Sequence, residues 1–233
     1  MAISAWEQST YFAPKDVVII GCGFVGLWTA LELINKYPKM QITILERGVI
    51  PSGASTRNAG FSCFGSVSEL MYDIALMGEA NMLETVKMRY DGLQKIQRTF
   101  DKKVIDYDQF GGYELFEKNG PYDIQQLDKD IAYLNKILAP VLKTPKKNGK
   151  YVPIYSNESK KIKQLGFQAI EALAFSPLEG QLNSAKLVLA LQQAVQSKGV
   201  HILFNTEVKK FKSHKKGVTI HTNLEAPLET KQL

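Results

Sequence analysis

The stretch Asp16-Val-Val-Ile-Ile-Gly-Cys-Gly-Phe-Val-Gly26 decides how this chain is read. An apolar run leads straight into a GxGxxG turn, and a helical pattern with Leu27, Ala30, Leu31 and Ile34 on one side follows at once. The next apolar run, Gln41-Ile-Thr-Ile-Leu-Glu46, ends on a carboxylate. Strand, turn, helix and strand with an acidic tip form a dinucleotide-binding unit. Each glycine has its own reason. Gly21 allows the tight turn, Gly23 lets the backbone approach a pyrophosphate, and Gly26 lets the helix lie close on the strands. Helix N–H groups near residues 23–27, including those of Phe24 and Val25, then face the phosphates. Glu46 is placed to accept from ribose hydroxyls, and its charge disfavours a 2′-phosphate. A glycine-rich turn of another α/β protein is the alternative. A membrane span over Val17 to Ile34 is disfavoured by Glu32, the glycines and the short length.

The rest of the chain sets bounds on class. With 233 residues, 45% hydrophobic and 22% charged, it suits a globular protein of one large or two small domains. Met1 to Pro14 has no apolar leader core, and Cys22 and Cys63 offer no disulfide framework, so a cytoplasmic protein is expected. The net charge of +6 gathers in Lys143 to Lys150 and Lys209 to Lys216, without the stacking aromatics of a nucleic-acid surface. His201, His214 and His221 lack ligand spacing, so no metal site is expected.

Beyond Glu46, a loop rich in Gly, Ser and Asn runs to about Phe64. Helices are expected over Ser66–Gly78, Asn81–Phe100, Pro121–Leu142 and Ser184–Ser197, the last with Ser184 as N-cap and Gly199 closing it. Strands are expected over Val104–Tyr107, Gly112–Phe116, Gln168–Phe175, Val200–Phe204, Val208–Phe211 and Val218–Thr222, with a loop at 143–150. Tyr113 and Phe116 are candidate pocket residues, with core packing as the plainer role.

Two segments carry a resemblance. Gly53-Ala-Ser-Thr-Arg-Asn-Ala-Gly60 resembles the loop of flavoproteins in the D-amino acid oxidase, glycine oxidase and sarcosine oxidase superfamily. Glu179-Gly-Gln-Leu-Asn-Ser-Ala-Lys-Leu-Val with Asn205-Thr-Glu-Val208 is similar to the stretch that returns such chains to the FAD domain. Asn183 departs from the proline common there.

The resemblance implies an α/β fold: a Rossmann-like FAD-binding domain of parallel sheet, helices and β-meander, interrupted by an α+β substrate domain. The expected boundaries are 1–98, 99–178 and 179–233. It implies that Gly21, Gly23, Phe24, Val25 and Gly26 hold the FAD pyrophosphate, with Ser55, Thr56 and Arg57 adding hydroxyls and charge. Glu46 would take the ribose and Arg47 the adenine end. Asn58, Ala59 and Gly60 would carry the backbone past the flavin, and Val208 would pair its backbone with adenine. The implied reaction is oxidation of a C–N bond in a small amine or amino acid, with the catalytic residues unassigned. Relatives continue beyond Leu233, so a portion of an oxidase-like protein is expected. A catalytically idle nucleotide-binding or interaction protein and an NAD-dependent dehydrogenase are the competing functions, and the loop at 53–60 disfavours the dehydrogenase.

Overall fold

The computed structural model describes residues 3–142, 144, 146–147, 149–224 and 226–233. In chain order the helices are α1 (Ala5–Thr10), α2 (Phe24–Lys36), α3 (Val67–Met77), α4 (Glu79–Thr99), α5 (Leu127–Leu142), α6 (Ile162–Leu165) and α7 (Ser184–Gln196). The strands are β1 (Lys15–Ile20), β2 (Ile42–Leu45), β3 (Phe61–Ser62), β4 (Gly112–Glu117), β5 (Lys146–Lys147), β6 (Lys150–Tyr151), β7 (Ser156–Asn157), β8 (Ile170–Ser176), β9 (Gly180–Gln181), β10 (His201–Leu203), β11 (Val208–His214), β12 (Gly217–Thr222) and β13 (Leu228–Gln232).

The chain folds as two units. One joins Met1–Ala59 to Asn183–Leu233, and the other is Gly60–Leu182. The first is a six-stranded sheet in the order β10-β2-β1-β13-β12-β11. β10, β2, β1 and β13 run parallel, and β11–β12–β13 form an antiparallel meander. Ile42, Ile44 and Leu45 of β2 are all buried, as expected for a central parallel strand covered on both faces. Leu27, Ala30, Leu31 and Ile34 form the buried stripe of α2, as the spacing expects. From β1 the chain moves one way to β2 and β10, then returns through the meander to β13 on the other side of β1. That reversal makes β1 the switch point, whose carboxyl end is where ligands bind in such sheets.

The second unit has one apolar core, shared by Val67 and Leu70 of α3, Met82 and Val86 of α4, Leu134 and Leu138 of α5, and Phe116 of β4. β4, β8 and β7 form its antiparallel sheet, and β3 pairs with β9. The two units divide at Ala59/Gly60 and at Leu182/Asn183. The apolar faces of α3 and α4 are buried with α5 and β4, so both helices belong to this unit.

Three local expectations are corrected, and one strand, β13, is added to them. Val104–Tyr107 is a run of turns, with Asp106 at φ +47; Ile105 and Tyr107 are still buried, which explains the strand-like pattern. Asn183 caps α7, its side chain accepting from the Lys186 N–H, so Ser184 is the first helical residue. β13 has no apolar alternation, and its ladders to β1 and β12 hold it extended. Of the stretch expected as a loop at 143–150, residues 146–147 and 150 belong to the β5–β6 pair, while Lys143, Pro145 and Asn148 lie outside the described residues.

Candidate functional site

The turn at the end of β1 is held from three directions. Gly21 has φ +97, a conformation that favours glycine, and its N–H donates to the Leu45 carbonyl at 2.8 Å. The Cys22 N–H donates to Glu46 Oε2 at 2.9 Å, while Glu46 Oε1 accepts from the Gly48 N–H at 2.9 Å. Gln192 Nε2 of α7 donates to Cys22 Sγ at 3.4 Å. Burial pushes the Cys22 thiol up to about 11, so it stays protonated and serves as packing. Glu46 is thus buried and bound to two backbone N–H groups, with lone pairs left over for a ligand.

A Cβ at Gly26 would lie 2.1 Å from the Gly21 carbonyl oxygen and 3.2 Å from Ile19 Cγ2, so close packing of α2 on β1 requires glycine. Leu27 is the donor of the first intrahelical bond, to Gly23, at 2.9 Å. The N–H groups of Phe24, Val25 and Gly26 therefore precede the helix ladder and lie at its positive end. The Phe24 N–H is taken by Ser55 Oγ at 2.9 Å, which docks the 53–60 loop on the helix.

That loop is closed by its own side chains. Thr56 Oγ1 donates to the Pro51 carbonyl at 2.9 Å, and Asn58 Nδ2 donates to the carbonyls of Ala54 and Ser55 at 3.0 and 3.1 Å. Arg57 and Ala59 are exposed. Gly60, in the second unit, has φ +74, and its carbonyl accepts from Leu182; a Cβ there would lie 2.4 Å from the Leu182 oxygen.

A cleft of about 310 Å3 opens at the carboxyl ends of β1 and β2, lined by Ile20, Gly21, Glu46, Arg47, Thr206 and Val208 among others. Ile20 is 52% exposed there although it ends a central strand. The cleft joins the turn, the acidic strand tip and the start of β11. A turn with glycine at its two partly exposed positions, unladdered N–H groups and a carboxylate beside an open cleft fit the ADP half of a dinucleotide.

The model of the DAO family, described as FAD dependent oxidoreductase, matches residues 16–230. The chain belongs to this family. Family membership makes FAD the cofactor, and the parallel sheet is the FAD-binding architecture. A probable oxidoreductase, OrdL, of Haemophilus influenzae is 28% identical over 200 residues, which span 85% of this chain and 43% of that protein. An L-2-hydroxyglutarate dehydrogenase of Escherichia coli is 27% identical over 214 residues, 89% of this chain and 43% of that protein. The chain thus spans less than half the length of these curated relatives. The crystal structure of glycine oxidase from Geobacillus kaustophilus superposes with a TM-score of 0.62 at 20% identity, covering 94% of this chain and 54% of that one.

The second unit holds a pocket of about 490 Å3 whose walls include Phe61, Phe110, Tyr113, Glu69, Glu114 and Glu179. Tyr113 lines it against the Phe175 ring, 4.7 Å away, whereas Phe116 is buried in the core against Tyr122. Glu114 caps α3, accepting from the Val67 N–H at 2.8 Å and the Ser66 hydroxyl at 2.9 Å. Burial pushes the Glu179 carboxyl up to about 7; the Phe64 N–H opposes this, and Glu114 and Glu69 add to it. Glu114 and Glu179 lie far apart in sequence, and only the β4–β8 register, which places Gly112 beside Ser176, brings them together. Among the described residues no group of His, Cys, Asp and Glu suits a metal ion, and no helix is long and apolar enough to cross a membrane.

Proposed function

We propose that this chain cradles the ADP half of FAD and serves the oxidation of a C–N bond in a small amine or amino acid. The observation that carries the cofactor assignment is the Gly21–Gly26 turn at the switch point, opening on the cleft that ends in Glu46. In this reading Gly21, Gly23, Phe24, Val25 and Gly26 present backbone to the pyrophosphate, and Ser55 yields the Phe24 N–H to a phosphate oxygen. Arg57 adds charge, and Thr56 and Asn58 keep the loop closed. Glu46 takes the ribose hydroxyls while still tying down Cys22. Arg47 covers the adenine end and Val208 meets the adenine edge with its backbone. Asn58, Ala59 and Gly60 lead the backbone past the flavin.

When bound, FAD supplies the acceptor for the hydride that leaves the carbon next to nitrogen. The chain's own contribution to substrate choice is the pocket of the second unit. None of its walls carries Lys, Arg or His, and three carboxylates face it. This favours an amine over the 2-hydroxy acid dianion named for the E. coli relative.

Purified protein is to be examined for bound yellow flavin, then bleached anaerobically with amines, amino acids and 2-hydroxy acids. Bleaching by amines or amino acids alone is expected. A colourless protein that FAD cannot reconstitute would leave the idle nucleotide-binding role. Bleaching by 2-hydroxy acids alone would overturn the C–N assignment.

A further inference from the structure

Ser176 has a buried hydroxyl with nothing to bond. Its residue is 2% exposed, and its Oγ has no hydrogen-bond partner among the described residues. Burying a polar group unpaired costs about 1–3 kcal/mol, so the position calls for a partner from outside the chain. Ser176 lines a cavity of about 50 Å3 with Glu114, Glu179 and Tyr155 on its wall. One water occupies roughly 30 Å3 of liquid, and an ammonium group is of similar size. The cavity shares Gly112, Tyr113, Glu114 and Glu179 with the larger pocket of about 490 Å3, so the two form an inner chamber and an outer one.

The chemistry of the wall is one-sided. Glu69 is matched by Arg89, Nη1 to Oε1 at 2.8 Å. Glu114 is matched by the N-terminus of α3. Glu179 has only backbone partners, the Phe64 N–H at 3.4 Å among them. Space for it is built in, since a Cβ at Gly112 would stand 2.5 Å from Glu179 Oε2. Tyr155 donates its hydroxyl proton to the Gly65 carbonyl, so its oxygen can act only as an acceptor toward the cavity. The wall thus offers acceptors (Glu179, Ser176 Oγ and the Tyr155 oxygen) and no cation. An alkylammonium brings three donors and one positive charge.

We propose that this double chamber binds a primary ammonium group, seated in the inner cavity on Glu179 and Ser176, with its apolar part against Phe61, Phe110 and Tyr113 in the outer pocket. This rests on the amine reading above and deepens it by naming the groups that select the amine. Aromatic faces at the mouth add attraction for the cation as it enters.

Titration supports the geometry. The groups facing Glu179 are Glu114 from β4, Glu69 from α3, Cys63, Tyr113 and Tyr155, with Arg89 of α4 engaged by Glu69. Burial raises the Glu179 carboxyl to about 7, so the site acquires its full charge as pH rises through neutrality. Ammonium affinity therefore rises by about tenfold between roughly pH 6 and pH 8.

The test is calorimetric titration of the whole chain with benzylamine, and with benzyl alcohol as the uncharged isostere, needing neither flavin nor turnover. Benzylammonium is expected to bind at least about tenfold more tightly than benzyl alcohol. In buffers of different ionisation heat its binding near pH 7 should release a fraction of a proton. Glu179→Gln should abolish both the pH dependence and the proton release. Ser176→Ala should weaken the ammonium about three- to tenfold and leave benzyl alcohol unchanged. Equal affinity for alcohol and amine, or wild-type binding that is flat from pH 6 to 8, overturns the proposal even if a variant fails to fold. Such a failure leaves the flavin reading standing, because that is tested by colour and bleaching. A protein that binds no flavin but keeps the ammonium site would overturn the cofactor reading and leave this site standing.

Discussion

Gly26→Ala tests the cradle most directly. The added Cβ would sit 2.1 Å from the Gly21 carbonyl oxygen, where side-chain carbons are not found below 3.0 Å, so α2 must move by about 0.9 Å. Overpacking typically costs about 1–3 kcal/mol, and a backbone atom as the obstacle puts this case at the upper end. Replacing Gly by Ala within a helix returns about 1 kcal/mol. The net is roughly 2 kcal/mol, or about 4–8 °C in melting temperature for a chain of this size. The same displacement carries the Val25 and Gly26 N–H groups out of reach of a phosphate. Losing one charge-assisted bond of about 2 kcal/mol lowers FAD affinity about 30-fold. Gly53→Ala is the control, since a Cβ there meets nothing within 4 Å and the backbone is not left-handed. Calorimetric melting and quenching of flavin fluorescence on titration read the two effects. If Gly26→Ala melts and binds FAD like Gly53→Ala, the close packing assigned to this turn is wrong.

Glu46→Gln puts an amide NH2 against the Cys22 or Gly48 N–H and should cost about 1–3 kcal/mol in urea denaturation without FAD. Asn183→Ala removes the cap of α7 and should destabilise by about 1 kcal/mol, whereas Ser184→Ala should be near neutral; equal effects would return the cap to Ser184. Glu179 has a folded value of about 7, above the ordinary 4.5. The folded state then binds more protons between these values, so stability is full below about pH 4.5 and falls as pH rises through about 7, by at most on the order of 3 kcal/mol. Urea midpoints at pH 5 and 8 should show this fall, and Glu179→Gln should flatten it.

The β1–α2–β2 unit could be read from sequence because its signals are local: apolar runs, glycines at fixed spacing and one helical stripe. Ile105 and Tyr107 misled because a turn can bury alternate residues as a strand does. Leu228–Gln232 gave no signal, since pairing on both sides, not its side chains, makes it a strand. The apolar faces of α3 and α4 show in the periodicity, but not which core receives them. At the site, the glycines and Glu46 were legible. The Ser55 link to Phe24 and the meeting of Glu179 with Glu114 were not, because tertiary register creates them. Tyr113 and Phe116 are three positions apart on β4 and so face opposite sides of the sheet, one toward the pocket and the other into the core, but the sequence does not say which.

The six-stranded sheet has a consequence for how the chain is made. Asp16 and Lys231, bonded at 2.7 Å across the β1–β13 seam, are 215 positions apart. β1 meets β2 almost as soon as both have left the ribosome, but β10 and β13 arrive only after all of residues 60–182. The continuous unit can therefore condense while the discontinuous sheet still has an open side. Contacts of such long sequence separation close slowly. The parallel sheet that carries the nucleotide turn is thus begun before residues 60–182 are made and closed only after them.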